Sequence, residues 1–124
     1  MNDQFGKFIR EKREEKKMNL RKLATILDIA PAYMSDIEKA HRYPPDIDRL
    51  NKIAEALEFS KEDSEKMFDL AALAKENSVS PDLPDYIMKH EKLRAALRTA
   101  RDNNKGEDDW QKIIDMLESN DSSD

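Results

Sequence analysis

Glycine is nearly absent from this chain, with two residues in 124 and five prolines beside them. Tight hairpin turns need positive φ, which glycine adopts most cheaply, so the sequence has little material for a β-meander or a sandwich. The expectation is an all-α protein. Its length suits one domain, or a small domain with an extension. Hydrophobic residues make up 38%, enough for a core but a small one. Cysteine is absent, which removes disulfides, thiolate catalysis and Cys-ligated zinc and suits a reducing compartment. No apolar run approaches the roughly 20 residues of a membrane span, and the first residues lack the apolar segment of a secretory signal. These bounds describe a soluble, cytoplasmic, helical chain with no membrane partner.

The net charge of −5 is unevenly spread. Residues 1–59 carry 12 basic and 11 acidic side chains, whereas residues 60–124 carry 10 and 16. Eight cations fall between Lys7 and Lys22 against three glutamates. A basic front with an acidic back suggests an N-terminal part that faces a polyanion and a second role for the rest. A solvated helix face laced with ion pairs accounts for the same cations equally well.

Apolar spacing divides the chain into helices. A first helix, about 3–17, carries Phe5, Phe8 and Ile9 on one face. Asn19 is suited to cap a second, about 20–27, in which Leu20, Leu23, Ala24 and Leu27 follow i, i+3, i+4, i+7. Asp28-Ile29-Ala30 is short enough to be a tight turn. Pro31 then stands at the first position of a third helix, about 31–39, where its missing N–H costs nothing; this helix buries Met34 and Ile37. Asp46 caps a fourth helix with Ile47, Leu50, Ile53, Ala54 and Leu57. Ser60 and Asp63 form a capping-box pattern that opens a fifth, about 61–76, with Met67, Phe68, Leu70, Ala71, Leu73 and Ala74 on a broad apolar face. Residues 77–84, with two prolines and two serines, read as a linker. One helix over about 85–102 turns Tyr86, Ile87, Leu93, Leu97 and Ala100 inward. A last one, about 107–118, presents Trp110, Ile113, Ile114 and Leu117, and residues 120–124 form a flexible tail.

The helix, short turn and short helix of Leu20–Lys39 suit insertion into a DNA major groove. The stretch Phe5–Phe59 resembles the lambda-repressor-like helix-turn-helix regulators of the Cro/cI (XRE) family. The likeness rests on Leu23-Ala24, Leu27, Ile29, Tyr33-Met34-Ser35-Asp36-Ile37-Glu38, Arg42-Tyr43-Pro44-Pro45 and Ile53-Ala54-Glu55-Ala56-Leu57. It implies a five-helix DNA-binding domain, here 1–76, which the linker and the two-helix extension read from spacing, 85–119, follow. It also implies that the third helix reads DNA. Base-facing positions of the family fall on Pro31, Ala32, Ser35 and Asp36, and positions near phosphates on Arg21, Tyr33, Lys39, His41, Arg42 and Tyr43. An arginine late in the first helix often pairs with the glutamate of the recognition helix in this family, which here means Arg13 and Glu38. The chain departs from the pattern at Leu20, where glutamine is common, at Asp28 and Ala40, where glycine is common, and at Ala30, where serine or threonine is common.

The implied reader has no Arg, Asn or Gln for two-pronged contacts to guanine or adenine. Asp36 is suited to accept from a cytosine amino group, Ser35 to touch any base edge and Ala32 to meet a thymine methyl. Direct readout is therefore modest, and DNA shape and phosphate contacts supply more of the selectivity.

Enzyme readings find little support. His41 and His90 are the only histidines, and His90-Glu91-x-x-Arg94 lacks the second histidine of a zinc-protease motif. Glu107-Asp108-Asp109 sits where a helix start favours carboxylates. The motifs imply no catalytic residue, metal site or cofactor. Two functions remain: a DNA-binding regulator, most often a repressor, acting as a homodimer on a palindromic operator; or an antitoxin-like or docking protein whose acidic C-terminal helices bind another protein.

Overall fold

In the computed structural model, which describes residues 2–120, the described residues form helices and no strand. In order these are α1 (Gln4–Glu15), α2 (Leu20–Leu27), α3 (Pro31–Glu38), α4 (Ile47–Ala56), α5 (Lys61–Leu73), α6 (Pro84–Lys89), α7 (Glu91–Asp102) and α8 (Glu107–Asn120). The starts of α2, α4 and α5 are sealed by side chains of their N-cap residues. The Asn19 amide oxygen accepts the Lys22 N–H at 2.7 Å, Asp46 accepts that of Arg49 at 3.0 Å and the Ser60 hydroxyl accepts that of Asp63 at 3.1 Å. Each satisfies one of the amides a helix start leaves unpaired.

The helix ends are closed without glycine. Lys17, Asp28, Ala40, Glu58 and Asn104 all take left-handed backbone with φ between 53° and 62°. Each reverses the chain so that the next amide reaches back five residues, as Met18 N–H does to Arg13, Ile29 to Ala24, His41 to Asp36, Phe59 to Ala54 and Lys105 to Ala100. This is the Schellman closure, whose left-handed residue is usually glycine because a Cβ costs roughly 1–2 kcal/mol there. Asp28 and Asn104 have short polar side chains that tolerate the conformation. Ala40 has no such compensation.

The chain divides into two compact units at Pro84–Asp85. In the N-terminal unit α1–α5 enclose one core, with Phe5, Ile9, Leu23, Leu27, Met34, Ile37, Leu50, Ile53 and Met67 fully buried at its centre. α3 packs on both α1 and α2, while α4 and α5 close the remaining sides. Gly6 lies where α1 crosses the end of α3. A Cβ there would run into the carbonyl oxygen of Glu38 and lie 2.8 Å from that of Ile37. Close approach, and not a turn, fixes this glycine.

The C-terminal unit holds α6–α8, and none of its described side chains up to Ser119 is buried. The helix expected over 85–102 is broken at His90, whose backbone is extended (φ −127°, ψ 96°), so the extension has three helices and not two. Arg94 closes the break by donating from Nη1 to the carbonyls of Ile87 (3.1 Å) and Met88 (2.7 Å). It thereby satisfies carbonyls that a continuous helix would have bonded internally. Tyr86 and Leu97, expected to face inward, are 60% and 37% exposed. In the other unit α5 ends at Leu73 and not near 76. Lys75 N–H bonds Ala72 three residues back, Asn77 turns left-handed, and Leu73 is left 61% exposed. Ile47 at the start of α4 is also outside the core, at 36% exposure. Of the tail expected at 120–124, Asn120 is the last residue of α8 and 121–124 lie outside the described residues.

Replacing Ala40 with glycine removes the Cβ from a left-handed residue while keeping both closing hydrogen bonds. Ala40→Gly should stabilise the protein by about 1 kcal/mol in a denaturant melt. An unchanged midpoint would show that Ala40 carries no net strain in its left-handed conformation.

Candidate nucleic-acid interface

The α2–turn–α3 unit follows directly from its residues. Asp28 stops α2, Ile29 tucks partly into the core, and Ala30 leads into α3 in extended conformation without a side-chain cap. Pro31 occupies the first turn, where helix amides lack partners. Met34 and Ile37 point inward onto Leu23, Ala24 and Leu27 in the shared core. The helical period then turns Ala32, Tyr33, Ser35 and Asp36 away from the core's centre: Ala32 and Tyr33 are exposed, and Ser35 and Asp36 are half-buried.

A buried ion pair fixes α3 from behind. Arg13, near the end of α1, donates from Nε to Glu38 Oε2 at 2.8 Å and from Nη2 to Oε1 at 2.9 Å. Its third group, Nη1, donates to the Met18 carbonyl at 2.9 Å, in the connection to α2. Both side chains are almost enclosed. The hydrogen bonds to Glu38 hold the guanidinium above its ordinary pKa, and burial opposes this only in part. A planar guanidinium meeting a carboxylate at two points fixes angle as well as distance, which a lysine would not do.

The cations group around this helix. Arg21 in the first turn of α2 and Lys39 at the end of α3 are exposed and, among the described residues, in no ion pair. His41 and Arg42 follow α3 in the next connection, and both approach Asp36. Arg42 Nε lies 3.7 Å from Asp36 Oδ2, and His41 Nδ1 3.8 Å from Oδ1. The Arg42 guanidinium stacks over the Tyr33 ring at 4.4 Å. Tyr43 instead receives the Lys75 ammonium over its ring, 5.7 Å from the centroid. A notch at the junction of α1, α2 and α3 is lined by Arg10, Arg13, Leu20, Ser35, Glu38 and Lys39.

Residues 9–63 match the helix-turn-helix family model. They form a helix-turn-helix domain of the Cro/cI (XRE) type. Neither the curated proteins nor the solved structures give a match to the chain. The match spans α2, the turn and α3, together with α4 and most of α1. It makes residues 9–63 a helix-turn-helix domain of the DNA-binding kind. Among the described residues no helix is long and apolar enough to cross a membrane.

Three residues beside the helix-turn-helix unit escaped the sequence reading. Gly6 permits the close crossing of α1 and α3. Arg10 shares the notch with Ser35 and Lys39; its place three residues before Arg13, on the same helix face, was the available signal. Arg49 donates from Nε to the Leu27 carbonyl at 3.0 Å, tying α4 to the end of α2 beside the turn. That contact is purely tertiary and had no signal in spacing or composition.

Because removing one partner strands a buried charge, Glu38→Ala should cost about 3–5 kcal/mol. The double variant Arg13→Met with Glu38→Leu should be clearly more stable than Glu38→Ala alone. Equal melts for Glu38→Ala and the parent would mean that the pair contributes nothing to holding α3.

Proposed function

We propose that the protein is a cytoplasmic, sequence-specific transcriptional repressor, without enzymatic activity, that binds a palindromic operator as a homodimer. The observation that carries this reading is a helix-turn-helix domain whose α3 is held rigidly from behind while its outer face stays open. In it, α3 enters the major groove with Pro31, Ala32, Ser35 and Asp36 toward base edges. Arg21, Lys39, His41 and Arg42 neutralise flanking phosphates, and the Tyr33 and Tyr43 hydroxyls donate to phosphate oxygens. Selectivity then leans on groove shape and phosphate geometry, since none of the four base-facing residues makes a two-pronged contact to a purine.

Homodimerisation is assigned to the C-terminal unit. α7 carries Leu93, Ala96, Leu97 and Ala100 at i, i+3, i+4, i+7, and α8 carries Trp110, Ile113, Ile114 and Leu117 in the same spacing. Leu93, Ala100 and Trp110 are half-buried, and Ile113, Ile114 and Leu117 are 38–58% exposed. Their charges are complementary. α7 has Lys92, Arg94, Arg98 and Arg101 against Glu91 and Asp102, while α8 has five acidic residues against Lys112. Across a two-fold axis, the basic α7 of one copy meets the acidic α8 of another and both stripes are buried. Two recognition helices are thereby brought to half-sites about 34–36 Å apart on one DNA face.

Fluorescence anisotropy with DNA from upstream of its own gene, beside random duplex, tests the DNA reading. Affinity should drop roughly a thousandfold between about 50 and 200 mM salt, and Lys39→Ala, which removes a phosphate contact outside the Asp36–Arg42 pair, should weaken all sequences alike. No binding to either DNA at low salt would overturn it. Light scattering should give twice the chain mass at micromolar concentration for the parent and the single-chain mass for Ile114→Asp. A parent that stays monomeric would overturn the homodimer.

A further inference from the structure

The outer face of α3 carries a carboxylate where a polyanion would approach. Asp36 is partly exposed and meets two groups from the following connection, Arg42 at 3.7 Å and His41 at 3.8 Å. His41 carries charge only when protonated, so Arg42 is the constant counter-ion. The Arg42 guanidinium carbon itself lies over the Tyr33 ring, 4.4 Å from its centre. Arg42 thus sits within reach of both the Tyr33 ring and the Asp36 carboxylate. The separation between Arg42 and Asp36 is beyond hydrogen-bond reach. It is an ion pair without directional bonds, and an incoming phosphate can replace the carboxylate as the partner of the guanidinium.

That exchange has an electrostatic consequence. Once Arg42 turns to a phosphate, Asp36 is an uncompensated anion in a groove walled by anions. In the major groove, cytosine presents an amino donor, adenine an amino donor beside an acceptor, and guanine and thymine present acceptors at the corresponding edge. A carboxylate is therefore repelled by guanine and thymine and satisfied above all by the cytosine amino group.

We propose that Asp36 and Arg42 form an exchange pair that makes tight DNA binding conditional on base identity, Arg42 passing to a phosphate only where a cytosine amino group takes over Asp36. Asp36 then acts mainly by penalising wrong sequences, and its selectivity comes from what it rejects. Tyr33 serves as the platform that keeps Arg42 at the hand-over position. The proposal rests on the reading that α3 enters the major groove.

The test compares parent, Asp36→Ala and Asp36→Asn on random duplex and on an operator selected in vitro by the parent, with melts to confirm folding. Asp36→Ala should bind random DNA about fivefold or more tightly than the parent, and its operator-to-random ratio should fall by at least that factor, the equivalent of about one base-pair mismatch. Asp36→Asn keeps the side-chain size and can serve alone if the alanine variant folds poorly. Selection with it should replace a required cytosine by adenine at one position of each half-site, since asparagine pairs with both adenine edge groups. Unchanged ratios in both variants, or an equal loss of affinity on operator and random DNA, would overturn the exchange pair while leaving the DNA reading intact. A parent that binds no DNA would overturn that reading and the proposal with it.

Discussion

The placement of α3 depends on the Arg13–Glu38 pair. One guanidinium, almost enclosed by protein, bonds both oxygens of the last residue of α3 and the carbonyl that follows the α1 turn. Burying two charges is expensive, and hydrophobic residues of the same volume often stabilise as well or better. What the ion pair supplies is direction: it has one geometry, and that geometry sets both the rotation and the depth of α3. Gly6 complements it by letting α1 close onto the Glu38 backbone. A side chain at that position would push α3 outward and lengthen both guanidinium bonds to Glu38.

Much of the N-terminal unit was legible because its signals are local. Asn19, Asp46 and Ser60 mark helix starts through hydrogen bonds that span three residues, and the apolar period of Leu20–Leu27 survives into the core unchanged. The Arg13–Glu38 pair was legible only through resemblance, since nothing local ties residues so far apart in the chain. The break at His90 was not legible. The apolar period runs through it, and the side chain that stabilises the break, Arg94, looks like any solvated cation until it reaches the Ile87 and Met88 carbonyls. The exposure of Tyr86 and Leu97 has the same origin, because spacing identifies an apolar face but not whether anything covers it.

The glycine economy takes on a different meaning in three dimensions. A chain short of glycine does not avoid left-handed turns; it makes them with Lys17, Asp28, Ala40, Glu58, Asn77 and Asn104. Both of its glycines are used elsewhere, and Gly6 is spent on proximity. The tight turn before α3 and the stop after it, at Asp28 and Ala40, both carry this backbone strain. The segment that faces DNA is therefore held by interactions around it and not by an intrinsically relaxed chain.

The C-terminal unit, with no described side chain up to Ser119 buried, has a consequence for motion. Opening a helix costs what its tertiary contacts are worth, and here that is very little. The burial difference sets the expectation that backbone amides of α7 and α8 exchange with solvent through local fraying, and those at the centre of α1–α5 only when the whole core opens. Covering the two apolar stripes moves the first population toward the second, so the unit's order is linked by mass action to the concentration of whatever covers it.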